Sequence, residues 1–83
     1  MNKVLVRLYV PSLEKEYDVW IPINKKIHKI ISLLVKSIYE LSGGYYNPLK
    51  LPMLYEKNTS NMYDINLNVK ESNIRNGTEL ILI

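Results

Sequence analysis

Cysteine is absent from this chain of 83 residues, and its absence excludes several kinds of chemistry. Without thiols the protein has no disulfide, no thiolate zinc site and no cysteine nucleophile. A domain of this length buries only about 60% of its unfolded surface, and without cross-links it is suited to a reducing compartment. We therefore expect one domain over residues 1–83, located in the cytoplasm.

Long hydrophobic runs are also lacking. In the first ten residues, MNKVLVRLYV, Arg7 interrupts the apolar run after a few positions, which leaves it too short for the core of a signal peptide. No stretch reaches the roughly 18 apolar residues of a membrane span, so we expect no membrane insertion. The net charge of +3 is weak for a nucleic-acid binder unless the positive side chains cluster.

Residues 3–10 and 16–22 alternate between the two sides of an extended chain, as strands with one buried face do. Pro11 and Ser12 break the pattern between them, which predicts an antiparallel hairpin. The side chains expected on its inner face are Val4, Val6, Leu8, Val10, Tyr17, Val19 and Ile21.

A helix is predicted next, because apolar residues recur at intervals of three and four over about four turns. Asn24 stands where an N-cap is expected, and Gly43 and Gly44 stand where the helix should end. The apolar stripe consists of Ile27, Ile30, Ile31, Leu34, Val35, Ile38 and Leu41.

The second half of the chain predicts two more strands. The first covers Leu51 to Glu56, where Pro52 requires an edge or an end position. The second covers Glu79 to Ile83, after a turn at Asn76 and Gly77. The expected fold is therefore α+β, a β-grasp with a mixed four- to five-stranded sheet and one main helix packed on one face.

Two segments of the sequence resemble the ubiquitin superfamily: residues 17–34 (YDVWIPINKKIHKIISLL) and residues 73–83 (NIRNGTELILI). Within it the chain is most similar to the YukD/EsaB group of small bacterial ubiquitin-like proteins. This resemblance implies a cytoplasmic accessory or regulatory component of a type VII secretion system. The partner it implies is a membrane component of the secretion machine.

Conjugated ubiquitin-like proteins resemble one another in a flexible tail that ends in Gly-Gly. Here the Gly-Gly pair is internal, at residues 43–44, and the sequence stops at Ile83 within the last predicted strand. We therefore expect that this protein is not conjugated.

The sequence offers no arrangement of residues that predicts catalysis. Glu16 and Asp18 share a strand face, but Lys3 and Arg7 lie on the same face of the neighbouring strand, where cross-strand ion pairs are expected. His28 is the only histidine and has no carboxylates at ligand spacing. Phosphate-binding loops and nucleophile motifs are absent, so we expect no enzyme, no cofactor and no metal site.

The outer face of the predicted sheet is unusually apolar, since this face of a half-solvated sheet normally carries polar residues. A patch of this kind indicates a surface that something covers. The candidate covers are a protein partner, a second copy in a homodimer, or the loop at 45–50. The predicted interaction residues are Leu5, Tyr9, Trp20, Ile81 and Ile83, joined by Leu54 in one of the two possible registers of the third strand.

Lys25, Lys29 and Lys36 fall within a narrow sector of the predicted helix, opposite its apolar stripe. A solvated helix face is the ordinary interpretation. The alternative is a charge-driven surface for an acidic partner, anionic membrane or nucleic acid, although nucleic acid would require a broader patch with aromatic residues. A second alternative to the secretion role is a ubiquitin-like adaptor unrelated to secretion.

Overall fold

The computed structural model describes residues 2–83, and its elements follow the predicted order. Two short 3₁₀ turns, at Pro11–Leu13 and Val69–Glu71, supplement the strands and the helix. The main elements are β1 (Lys3–Val10), β2 (Lys15–Pro22), α1 (Ile27–Leu41), β3 (Leu54–Glu56) and β4 (Glu79–Leu82).

The four strands form one mixed sheet in the order β2-β1-β4-β3. β1 pairs antiparallel with β2 and parallel with β4, and β3 pairs antiparallel with β4. The hairpin therefore lies beside the returning last strand, with α1 packed across one face. This is the predicted β-grasp arrangement.

The core lies between α1 and the inner face of the sheet, and strand alternation selects its members. Leu8 and Leu80 are paired neighbours on β1 and β4, and both are fully buried. Burying a side chain of this type stabilises the fold by about 1.5–3 kcal/mol. Helix α1 contributes a buried stripe of Ile27, Ile30, Ile31, Leu34 and Ile38.

The N-terminus of α1 is stabilised differently from the prediction. The N-cap is Lys26, not Asn24, and no side chain caps the helix. The amides of Ile27 and His28 instead donate to the carbonyl oxygens of Leu67 and Ile65, at 2.9 and 3.1 Å. A neighbouring segment thus satisfies the free amides of the first turn, so a capping side chain is unnecessary.

The C-terminus of α1 confirms the prediction for the glycine pair. Gly43 and Gly44 have φ angles of +67° and +89°. Their amides donate to Glu40 and Tyr39 respectively, which is the pairing of a Schellman motif. Leu41 belongs to the predicted apolar stripe but is 62% exposed, because it lies at the end of the last turn of the helix.

Strand β3 is shorter than the predicted Leu51–Glu56 and begins at Leu54. Pro52 has no amide to donate, and ladder bonding starts just after it, where Met53 exchanges two hydrogen bonds with Ile83. The resulting register corrects one predicted site residue. Leu54 lies opposite Leu82 and is fully buried, so it belongs to the core and not to the outer face.

Candidate protein-interaction face

We use the name outer face for the side of the sheet that α1 does not cover. Its first row consists of Trp20 on β2 and Leu5 on β1, which are directly opposite each other. The turn before β4 fixes the backbone of Leu5: Asn76 Oδ1 accepts from its amide, and the Gly77 amide donates to its carbonyl oxygen, both at 2.8 Å. Trp20 lies on β2, an edge strand of the sheet, and is 54% exposed.

Trp20 also borders a shallow groove of about 330 Å³, whose other lining residues include Ser37, Glu40 and Leu41 of α1. Leu41 is therefore an exposed apolar neighbour of this corner of the molecule. Helical periodicity places Leu41 in the apolar stripe, so it could not identify this residue as exposed.

The second row of the outer face is charged. Arg7 lies opposite Asp18 on one side and Glu79 on the other. Its Nε atom is 3.3 Å from Asp18 Oδ1, which confirms one expected cross-strand ion pair. These residues border a depression of about 390 Å³ that also reaches Leu5 and Gly77. The outer face is therefore not one continuous apolar patch.

The third row contains Tyr9, Ile81 and Tyr55, which are neighbours across β1, β4 and β3. All three are half-buried. Lys57 partly covers this row, because its Nζ atom lies 5.5 Å from the centre of the Tyr9 ring and 3.1 Å from Glu16 Oε2. The sequence pattern did not identify Tyr55, because the sequence alone does not give the register of β3. That register places Leu54 on the inner face and Tyr55 on the outer face.

Ile83 is exposed but lies far from Trp20. Trp20 is level with Leu5, whereas Ile83 lies two residues beyond Ile81, the neighbour of Tyr9. Six residues along a strand span about 20 Å. Ile83 instead borders a groove of about 420 Å³ formed with Tyr46, Pro48 and residues 50–52. The structure therefore places the predicted interaction residues in two regions.

The loop at 45–50 does not cover the Trp20 end of the outer face, where the indole is exposed. Tyr46 from this loop is 6% exposed and packs into the core. Burial raises the pKa of its phenol. Tyr45, by contrast, points into solvent.

A second tyrosine is held by hydrogen bonds between the irregular segment and β3. The Tyr63 hydroxyl donates to Asn73 Oδ1 at 2.8 Å, and Asn73 Nδ2 donates to Glu56 Oε2 at 3.1 Å. Burial, assisted by the charge of Glu56, raises the pKa of Tyr63 to about 12. The arrangement fastens the segment before β4 to β3 and gives no open reaction centre.

The acidic residues considered for catalysis are engaged in surface ion pairs. Asp18 pairs with Arg7, while Glu16 pairs with Lys57 and not with the expected Lys3 or Arg7, because Tyr9 is its cross-strand neighbour. Within residues 2–83, no three histidine, cysteine or carboxylate side chains are grouped as metal ligands. In the same range, no helix has both the length and the apolar character needed to cross a bilayer.

The predicted basic residues do come together, although Lys25 precedes α1 and is not part of the helix as predicted. Lys25, Lys29 and Lys36 border one groove of about 350 Å³, with Ser32 and Leu33 between them. Leu33 is 49% exposed, and helical periodicity does not identify it because it lies outside the apolar stripe.

No protein-family model matches the chain, and no curated protein matches its sequence. Solved structures do match its fold. The chain is similar to the EccD5 ubiquitin-like domain from Mycobacterium xenopi, with a TM-score of 0.82 and 18% identity over 100% of this chain and 94% of that one. It is also similar to the ubiquitin-like domain of the Mycobacterium tuberculosis type VII secretion protein EccD1, with a TM-score of 0.77 and 14% identity over 100% and 99%.

Two further similar structures are chains of larger complexes. A chain of a toluene 4-monooxygenase complex matches with a TM-score of 0.77 and 10% identity over 96% of this chain and 95% of that one. A chain of the ESX-5 inner membrane complex matches with a TM-score of 0.67 and 13% identity, and here the match covers 21% of the longer chain. At these identities the likenesses define the fold, which is a ubiquitin-like β-grasp. This fold occurs in components of type VII secretion systems.

Proposed function

We propose that this protein is a non-catalytic, ubiquitin-like binding module that serves as a cytoplasmic accessory or regulatory component of a type VII secretion system. Its partner would be a membrane component of the secretion machine. The EccD likenesses support this assignment at the level of fold, and the YukD/EsaB-like segments at residues 17–34 and 73–83 support it at the level of sequence.

The exposure of Trp20 carries the proposal for a binding surface. A tryptophan that is 54% exposed on a strand leaves a large apolar area in water, and burial against a partner would remove it. Trp is also among the residues that most often dominate interface energies. Leu5 and Leu41 extend the apolar surface on either side, one on the sheet and one on the helix.

The charged second row gives this surface its polar border. Arg7 and Asp18 remain more than half exposed and can form hydrogen bonds with a partner that seats on Trp20. Tyr9 and Ile81 extend the proposed surface across the sheet, and Ile83 adds a peripheral contact only if the partner spans the distance of about 20 Å.

The test is recovery of the tagged protein in mild detergent from the cells that make it, followed by identification of the co-purifying proteins. We expect a membrane component of a type VII secretion system with the wild type and at least tenfold less of it with Trp20→Glu, since tenfold corresponds to about 1.4 kcal/mol. Trp20→Phe should retain part of the binding, because it keeps an aromatic surface.

Lys70→Glu is the matched control, because Lys70 is exposed in the 3₁₀ turn at Val69–Glu71. Equal recovery of the partner with Trp20→Glu would contradict the proposed surface. Recovery of proteins unrelated to secretion would favour a ubiquitin-like adaptor of another kind. Recovery of the protein alone would favour a homodimer.

A further inference from the structure

The groove beside the N-terminal half of α1 is a second surface with its own chemistry. Lys25, Lys29 and Lys36 line it, and the exposed Leu33 lies among them. None of the residues that line this groove lies on the outer face or borders the groove at Trp20, although Lys36 adjoins Ser37 on α1.

The positive charges of this groove are not neutralised within residues 2–83. The ion pairs in this range join Arg7 to Asp18 and Lys57 to Glu16, so they use none of the three groove lysines. Glu40 lies one turn beyond Lys36, but its carboxylate is not within 4 Å of a basic side chain. The groove therefore holds three cations that a negatively charged ligand could neutralise.

The spacing of these side chains suggests what such a ligand contains. Lys29 and Lys36 are seven residues apart, which is about 10 Å along the helix, and Leu33 lies between them. We propose that this groove binds an acidic segment of a protein partner, in which an aliphatic side chain contacts Leu33 and flanking carboxylates contact the lysines.

A protein segment fits the groove better than a membrane. A helix that binds a bilayer surface presents a broad apolar face to the lipid. Here that face of α1 is buried against the sheet through residues such as Ile30 and Ile31, and Leu33 is the apolar side chain among the lysines.

Nucleic acid fits less well for a different reason. Single-stranded binders stack bases on aromatic side chains, and base-specific binders use the planar guanidinium of arginine. Neither type of side chain lines this groove, whereas lysine serves as a point charge suited to separate carboxylates.

The test is a selection of random 12-residue peptides displayed on phage against the immobilised protein, after depletion on the double variant Lys29→Glu/Lys36→Glu. We expect the retained peptides to carry aspartate or glutamate on both sides of an aliphatic residue. A synthetic selected peptide should bind at least tenfold more weakly to the double variant. Leu33→Ser should weaken it less, and glutamine in place of the acidic residues should abolish binding.

The matched control is Lys15→Glu/Lys50→Glu, which makes the same change in net charge at two exposed lysines outside the groove and should bind as the wild type does. Trp20→Glu should also bind normally, which separates this proposal from the one for the outer face. Thermal unfolding of each variant checks that it folds.

Three results would overturn the proposal. One is a selection that yields no peptide dependent on Lys29 and Lys36. The second is a retained pool that lacks acidic residues. The third is tighter binding of phosphatidylserine vesicles or of a single-stranded oligonucleotide than of the selected peptide, with the same dependence on the lysines, which would assign the groove to membrane or to nucleic acid.

Discussion

The two faces of the sheet obey the same alternation but differ in what encloses them. On the inner face, every apolar side chain that alternation directs toward α1 is buried or packed against the core, because the helix excludes water there. On the outer face, alternation fixes the direction of Leu5, Trp20 and Ile81 but not their environment. A charged row at Arg7 divides this face, and Lys57 covers Tyr9 from a loop. Direction follows from the strand, whereas exposure depends on neighbours that are distant in sequence.

The largest difference between the two faces in the effect of a substitution on stability is expected at two consecutive residues of β3. Leu54→Asp should unfold the domain, because it buries a carboxylate at a fully enclosed position opposite Leu82. Tyr55→Asp should cost only about 1 kcal/mol, the typical range of strand preferences. Urea unfolding followed by circular dichroism measures both. A stable Leu54→Asp variant beside an unfolded Tyr55→Asp variant would reverse the assigned register.

A smaller effect is expected for the ion pair in the second row of the outer face. Arg7 and Asp18 are both more than half exposed, so their coupling should be about 0.2–1 kcal/mol. A double-mutant cycle of Arg7→Ala and Asp18→Ala in urea unfolding measures it, and 1 M salt should reduce it. A salt-insensitive coupling well above 1 kcal/mol would show that this row is shielded from water even without a partner.

An effect that is seen only at alkaline pH concerns Tyr63, which lies on neither face. Its pKa is raised from 10.0 to about 12, so folding favours the neutral phenol. This contribution to stability is complete below about pH 10 and is lost as the pH rises through about 12. Tyr63→Phe cannot ionise, so its free energy of unfolding should fall less steeply between pH 10 and 12. Equal slopes for the variant and the wild type would contradict the assigned environment.

Much of the fold could be predicted from sequence because its signals are local. The alternation around Leu8, the helical stripe around Ile30 and the glycine pair at 43–44 each specify structure within a few residues. The cap of α1 could not be predicted in this way, since Leu67 and Ile65 supply the acceptors from about forty residues away. The register of β3 depends equally on a distant strand.

The candidate surfaces were predictable in part for the same reason. A sequence can place Trp20 on the outer face, and it can place Lys29 and Lys36 on one side of a helix. It cannot show that Leu41 borders the same groove as Trp20, or that Ile83 lies at the other end of the sheet. Those relations depend on the crossing of α1 over the sheet and on the loop before β3.

The central claim is that the Trp20 end of the outer face contacts a partner in the cell. Site-specific photo-crosslinking tests it directly, with p-benzoylphenylalanine placed at position 20 and, for comparison, at the exposed position 70. We expect a covalent adduct with a membrane component of the secretion system from position 20 and none from position 70. Adducts from position 70 alone, or the same adducts from both positions, would contradict the account.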